Sequence, residues 1–192
     1  MSKTWPLLLC FFLASPVIAQ SELENSTSSS AQTSTLSAFF HEPFQQPLGY
    51  GFFLANAKER ILERFGDPIS ESSSRYFART SDEQLWSTRL EYGGITFVIG
   101  ESADRARTWL ESIDVRGKEH ILANGLRVGS SRSDVVEAFH DSHYIEYDGG
   151  IRFGAEIWEA RGNVTLATAM ELQIDIGDDD VVTRFMIESI EL

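Results

Sequence analysis

Two of the four histidines of this 192-residue chain lie close together, where His140 and His143 flank Asp141. Imidazole and carboxylate side chains at this spacing are ligands that zinc or another divalent ion accepts. The remaining histidines, His41 and His120, are distant in sequence, so no further ligand is at hand. We therefore expect a polar helix end that leads into a strand, and no metal site.

A second acidic run, residues 178–180, consists of three consecutive aspartates. Calcium loops instead space their oxygen ligands alternately and add a distant bidentate glutamate, so we predict a charged hairpin turn here.

The sequence contains no Gly-x-Ser-x-Gly nucleophile elbow and no glycine-rich phosphate loop. We expect no cofactor and no enzymatic activity. Because the chain has 29 acidic residues, a carboxylate-dependent hydrolase stays open as the alternative.

Two glutamates, Glu111 and Glu188, occur in the closely similar tetrapeptides Leu-Glu-Ser-Ile and Ile-Glu-Ser-Ile. Strict alternation along a strand would place Trp109, Glu111 and Ile113 on one face, which mixes an acid with apolar residues. A β-bulge at Glu-Ser would instead turn the acid outward. Either the two glutamates serve the strand structure, or they form a paired recognition site.

Aromatic residues in the predicted strands are the candidate binding residues. Tyrosine and tryptophan are frequent anchors of protein interfaces because they bury a large area and carry a polar group. We expect an exposed aromatic patch on the sheet, formed by Trp86, Tyr144, Tyr147 and Trp158.

The chain is acidic, with 16 Lys and Arg against 29 Asp and Glu and a formal charge of −13. This excess repels phosphate backbones, which argues against nucleic acid as a partner. A protein partner with a basic surface fits the charge, and so does a merely solvated acidic surface.

The amino terminus predicts export. Lys3 precedes a short apolar run that ends at Val17-Ile18-Ala19, which is the pattern of a cleavable signal peptide over residues 1–19. Lipidation at Cys10 is disfavoured because Cys10 lies in the middle of the apolar run. Removing the signal peptide removes the single cysteine, which fits a bacterial periplasm or secretion better than a disulfide-rich eukaryotic domain. No other apolar stretch reaches the roughly 20 residues of a membrane span.

An internal repeat organises the rest of the chain. Residues 54–67 align with residues 128–141, and residues 95–115 align with residues 172–192. The two blocks occur in the same order at offsets of 74 and 77 positions, which predicts a tandem duplication.

Each copy begins with an amphipathic helix, which Asn56 caps in the first copy and Ser130 or Ser131 caps in the second. Gly66 is expected to end the first helix. The alternating strands that follow predict an α+β fold of two tandem modules, each a helix packed on a three- to four-stranded antiparallel sheet. The domain boundaries follow from these patterns: a Ser/Thr-rich flexible tether over residues 20–37, a first module over 38–118 with a non-helical aromatic lead-in at 38–53, and a second module over 119–192.

The second copy opens with the motif Leu126-x-x-Gly129-x-Ser131-x-x-Asp134-Val135-x-x-x-Phe139. The first copy has Ala55 in place of the glycine but ends its helix with Phe65-Gly66-Asp67-Pro68. This pattern resembles the opening of BamE/SmpA-like and β-lactamase-inhibitor-protein-like (BLIP-like) modules, and it covers most of residues 50–192. The resemblance implies a helix on an antiparallel sheet and a binding role as an inhibitor or an assembly factor. The motif is structural and implies no contact residues.

From these observations we expect an exported, non-enzymatic protein-binding module of the bacterial envelope. The alternatives are the carboxylate-dependent hydrolase and a structural envelope protein.

Overall fold

The computed structural model describes residues 35–45, 56–77, 83–161 and 164–190 of the chain. The side chains of residues 157–167 and 190 lie outside this description. The described part contains three helices and eight strands: α1 Thr35–His41, α2 Ala57–Phe65, β1 Ser70–Phe77, β2 Gln84–Tyr92, β3 Ile95–Glu101, β4 Thr108–Val115, α3 Arg132–Ala138, β5 Tyr144–Tyr147, β6 Gly150–Arg161, β7 Val164–Ile176 and β8 Val182–Ile190.

All eight strands belong to one antiparallel sheet in the order β1-β2-β3-β4-β8-β7-β6-β5. The predicted fold of two tandem helix-on-sheet modules is therefore wrong. Strands β4 and β8 pair with each other, from Ser112 opposite Glu188 to Val115 opposite Phe185, and this pairing fuses the two halves. A four-stranded module would leave an unpaired edge at its last strand, and the β4–β8 pairing satisfies both edges at once.

One face of the sheet is buried, and we call it the helix-side face. A continuous row of side chains crosses six strands here, and all six members are fully buried: Leu90, Phe97, Ile113, Ile187, Leu172 and Phe153. The short helices contribute Phe39 and Phe40, Ile61, and Val135 to the same core cluster. Within the described residues this single cluster spans the six inner strands β2, β3, β4, β8, β7 and β6, so the two halves of the sheet share one core.

The helix ends agree with the sequence in two places and differ in one. Ser131 caps α3, where its Oγ accepts a hydrogen bond from the Asp134 amide and the Asp134 carboxylate accepts one from the Ser131 amide. Gly66 ends α2 with a φ of 75°. The predicted Asn56 cap is wrong, because Asn56 adopts a left-handed conformation and its side chain makes no capping bond. The Asn56 amide instead donates a hydrogen bond to the Thr108 carbonyl at 3.1 Å.

Two predicted turns are confirmed. Gly149, with a φ of 89°, lies in the two-residue loop of the β5–β6 hairpin, where Tyr147 faces Gly150. The acidic residues 178–180 form the tight turn between β7 and β8, closed by a hydrogen bond from the Gly177 amide to the Val181 carbonyl.

The amino-terminal expectations have a mixed outcome. The lead-in at 38–53 was predicted to be non-helical, but α1 extends to His41 and buries Phe39 and Phe40. Helix α1 also overlaps the last three residues of the predicted tether. The signal peptide at 1–19 and the rest of the tether lie outside the described residues. Among the residues that are described, no helix is long and apolar enough to cross a membrane.

Candidate functional site

The second face of the sheet carries the residues that alternate with the buried row, and we call it the open face. In the described part of the chain, the residues that α1, α2 and α3 bury join the core cluster on the helix-side face. Most open-face side chains are half-buried or exposed. They include one row across five strands, formed by Arg89, Val98, Ser112, Glu188 and Glu171.

A groove of about 550 Å³ lies on the open face where β1 to β4 and β8 meet. We call it the acidic groove because both Glu111 and Glu188 line it. Aromatic and hydroxyl side chains complete its walls: Tyr76, Phe77, Trp109, Ser74, Ser87, Ser112 and Ser189, together with Val98. A half-buried tryptophan beside two carboxylates is the arrangement on this face best suited to holding a cationic group.

A β-bulge directs Glu111 into the acidic groove. Val98 faces Ser112 and Ile99 faces Leu110, so Glu111 is the extra residue between them. Of the two arrangements that the sequence left open at Glu111, strict alternation and a bulge, the structure has the bulge. The Tyr76 hydroxyl donates a 2.7 Å hydrogen bond to the Glu111 carboxylate, and these groups join β1 to β4 across the groove.

Glu188 reaches the same groove without a bulge. It lies opposite Ser112 on β4 and opposite Glu171 on β7, in regular register on both sides. Glu171 forms an ion pair with Arg152, with 3.0 Å between Oε1 and Nε. Glu188 is half-buried, and within the described residues its carboxylate makes no hydrogen bond or ion pair. Its carboxylate is therefore free to accept a donor from a binding partner.

Trp109 owes its position to Gly100, its cross-strand neighbour. A Cβ atom at Gly100 would collide with the indole ring of Trp109, so only glycine lets the ring lie directly against β3. The same Cβ atom would come within contact distance of the Glu111 carboxylate. Gly100 thus makes room for both groups that define the floor of the acidic groove.

Beside the groove, the open face carries an ion-pair ladder formed by Asp114, Arg184, Asp175 and Tyr147. Arg184 donates two hydrogen bonds to Asp114, at 2.8 Å and 3.0 Å, and a longer one of 3.4 Å to Asp175. The Tyr147 hydroxyl donates to Asp175 at 2.7 Å. Burial and this hydrogen bond raise the pKa of Tyr147 to about 12. The ladder is internally satisfied and holds β4, β8, β7 and β5 together.

The four aromatic residues predicted to bind do not form one patch. Trp86 shares the helix-side face with Thr88 and Leu90, and the guanidinium groups of Arg75 and Arg105 both lie over its ring, 4.4 Å and 3.9 Å from the ring centre.

Tyr144 is also on the helix-side face, where its ring packs on Phe153 at 5.7 Å between ring centres. Tyr147 is on the open face. Trp158 lies in β6 opposite Ala167, and its side chain is outside the described residues. The open-face aromatics that line the acidic groove, Tyr76 and Trp109, were not among the predicted binding residues. The alternation around Glu111 was the signal that could have found Trp109.

The histidine cluster has a structural role. Asp141 accepts hydrogen bonds from the amide and the hydroxyl of Thr35, at 2.9 Å and 3.0 Å, and so holds the start of α1. The ring of His140 lies against the Glu137 carbonyl at 3.1 Å. Within the described residues, no group of three or more histidine, cysteine or acidic side chains could hold a metal ion.

No protein-family model matches the chain, and no curated protein or solved structure matches it. The resemblance to BamE/SmpA-like and BLIP-like modules therefore stays a prediction from the sequence.

Proposed function

We propose that this protein is a non-enzymatic binding module that holds a protein partner with a basic surface on the open face of its sheet. The observation that carries this proposal is the acidic groove, where Glu111, Glu188 and Trp109 meet. The formal charge of −13 favours a basic partner in addition, because a negative potential accelerates the encounter with positive surfaces.

A lysine or arginine side chain of the partner fits the chemistry of the groove. Its aliphatic stem would pack on Trp109, and its charged head would meet the Glu188 carboxylate. Glu188 is suited to this role because no cation within the described residues neutralises it. Arginine would gain more than lysine, since its planar group both stacks on an aromatic ring and binds a carboxylate through two hydrogen bonds.

The ion-pair ladder supports binding by keeping the surface rigid. Arg184 is held by Asp114 and Asp175 at the same time, so these side chains lose little freedom when a partner covers them. A surface that is already ordered loses less entropy on association than a flexible one. The ladder would therefore form the preorganised rim beside the acidic groove.

We place this activity outside the cytoplasm, in the bacterial envelope or the secreted fraction, because of the signal peptide predicted at residues 1–19. An inhibitor and an assembly factor both act by such stoichiometric binding, and both agree with the resemblance of the helix-entry motif.

The test is capture of envelope proteins by the purified protein, followed by affinity measurements on the captured partner. Glu188→Gln should weaken binding by at least about 30-fold, which corresponds to the roughly 2 kcal/mol of an interface hot spot. The matched control is Asp178→Asn, which removes one negative charge from the exposed β7–β8 turn and should leave affinity nearly unchanged. Equal losses of affinity in both variants would indicate that the partner responds to the overall charge, and they would contradict binding in the acidic groove.

A carboxylate-dependent hydrolase is the second candidate, and the observation that favours it is the presence of Glu111 and Glu188 in one groove. Glycoside hydrolysis uses such a carboxylate pair across the bond that breaks. Chromogenic glycosides test it directly. Turnover that is lost in Glu111→Gln and in Glu188→Gln, but not in Asp178→Asn, would establish the hydrolase and overturn the binding proposal.

A further inference from the structure

The outer edge of β1 differs from the other edge of the sheet. Seven of its eight residues are exposed, and only Tyr76 is half-buried. The opposite edge, β5, has four residues. Exposed edges are usually blunted by shortness, proline, bulges or inward-pointing charges. Strand β1 pairs with β2 in continuous register from Ser70 to Phe77 and contains neither a bulge nor a proline. Its two charged residues, Glu71 and Arg75, lie on the helix-side face and have opposite signs.

Large apolar side chains stand at both ends of this edge. Ile69 is 78% exposed and Phe77 is 68% exposed. The Ile69 amide donates to the Glu91 carbonyl at 2.7 Å, which holds this residue beside the start of β1. In the described part of the chain, no strand pairs with the outer side of β1. The edge thus offers unpaired backbone groups flanked by two apolar side chains.

We propose that β1 pairs antiparallel with β1 of a second copy of this chain, with Ser73 facing Ser73 at the two-fold axis. In this register Glu71 of each copy faces Arg75 of the other, and Ile69 faces Phe77. Directly opposed side chains in an antiparallel pair lie about 4.5–5.5 Å apart at Cβ and interact. The charged residues Glu71 and Arg75 are therefore complementary to those of a second β1 strand that runs in the opposite direction.

Neighbouring registers lack this complementarity. Centring on Ser72 would place Arg75 opposite Ile69, and centring on Ser74 would place Glu71 opposite Phe77. Shifts by a single residue would place the helix-side face of one copy next to the open face of the other. The Ser73 register alone combines the two ion pairs with the two apolar pairs, and it keeps the helices of both copies on the same side.

The pairing is compatible with the contacts that these residues already make. Lys58 holds the Glu71 carboxylate at 2.7 Å, but the Glu71 side chain remains 41% exposed and can accept a second cation. The Arg75 guanidinium lies over Trp86 and has further donors available, since this group carries five N–H bonds. The interface would be isologous and closed, as expected for a two-fold dimer.

This proposal is independent of the proposed binding function, because β1 uses its backbone edge and the partner uses the open face. Self-pairing would nevertheless extend the acidic groove. Ser74 and Tyr76, which line the groove, would face Ser72 and Ser70 of the second copy on the open face. A second copy would therefore lengthen the wall of the groove without blocking its floor.

The oligomeric state of the purified protein in 0.15 M salt provides the test, measured by sedimentation over a range of concentrations. The wild type should shift from monomer to dimer mass as its concentration rises. Glu71→Arg and Arg75→Glu should each weaken this association by tenfold or more, since both oppose like charges. Mixing the two variants should restore it to within about threefold of wild type, because the mixed pair regains both ion pairs. A wild type that stays monomeric at millimolar concentration would overturn the proposal, and so would a mixture as weak as its components.

The register is tested by oxidation of cysteine variants. Ser73→Cys should form a disulfide-linked dimer, because directly facing Cβ atoms, about 4.5–5.5 Å apart, lie close to the separation of about 3.5–4.5 Å that a disulfide needs. Ser72→Cys is the matched control, because the two copies of this residue would be diagonal neighbours about 7–8 Å apart. Efficient cross-linking of both variants, or of neither, would reject the Ser73 register. Melting curves of each variant check that it remains folded.

Discussion

Phe97 and Val98 are neighbours in one strand, yet their side chains lie on opposite faces of the sheet and in different environments. Phe97 is fully buried and contacts the rings of Phe65 and Tyr92, at 5.0 Å and 5.9 Å between ring centres. Val98 points to the open face and lines the acidic groove. The helix-side face is mostly hydrocarbon, with one buried polar pair of Thr88 and Glu101 near its β1 end. The open face is built from ion pairs, hydroxyls and a few aromatic rings. The difference suggests that one face sets the stability of the fold and the other is available for binding.

The largest effect should come from the helix-side face. Phe97→Ala should lower the free energy of unfolding by about 3–5 kcal/mol, because it removes a buried ring and leaves a cavity. Thr96→Ala, one residue away on the open face, is the matched control and should change stability by about 0.5 kcal/mol or less. Urea unfolding of both variants measures the contrast. Similar losses at the two positions would mean that the open face is part of the core.

A smaller effect is expected where the open face is itself tightly packed. Gly100→Ala should destabilise the protein by about 1–3 kcal/mol, because the added methyl group displaces the Trp109 indole. Tryptophan fluorescence should shift as that ring becomes more exposed. Gly154→Ala is the control, since its Cβ would approach no atom closer than the Met170 carbonyl oxygen at 3.9 Å. Unchanged emission in Gly100→Ala would show that Trp109 does not depend on this glycine.

Local features of the fold could be predicted from the sequence because each depends on a few neighbouring residues. Ser131 with Asp134, and Gly66 after Phe65, are complete signals for the beginning and end of a helix. The alternation over β3 and β7 shows which residues share a face, and the interruption at Glu111 made a bulge one of the two arrangements expected there.

Long-range features could not be predicted in this way. The pairing of β4 with β8 depends on two edges meeting, and the alternating pattern of a strand carries no information about its neighbour. The same limit applies to the candidate aromatic residues. Trp86 and Trp109 both lie in strands, but only the register distinguishes a ring covered by two arginines from a ring in the acidic groove. Helix α1 was not predicted, because the positions of its phenylalanines make sense only once the core that they fill is known.

The smallest effect, and the most informative about the open face, is the pH dependence due to the ion-pair ladder. Partial burial acts to raise the pKa of Asp114, but hydrogen bonds from Arg184 and Arg116 and their charges outweigh it, so the pKa is lowered. Partial burial acts in the same way on Asp175, and Gln173, Tyr147 and Arg184 together lower its pKa. Both carboxylates therefore bind a proton more weakly in the folded protein than in the unfolded chain.

A carboxylate with a lowered folded-state pKa stabilises the protein above its unfolded pKa of about 3.9, and this contribution is lost as the pH falls through the folded value. Asp114→Asn should therefore lower the free energy of unfolding by about 1–2 kcal/mol at pH 7, the range for hydrogen bonds to a charged group after allowance for solvent screening. The difference from wild type should shrink as the pH falls below about 4, because the wild-type carboxylate then also loses its charge. Urea unfolding between pH 2 and pH 7 measures this convergence, with Asp178→Asn as the control for the loss of one negative charge. If the Asp114→Asn curve stayed parallel to the wild type at every pH, the ladder would contribute packing and not charge, and the two faces would differ less than their residues indicate.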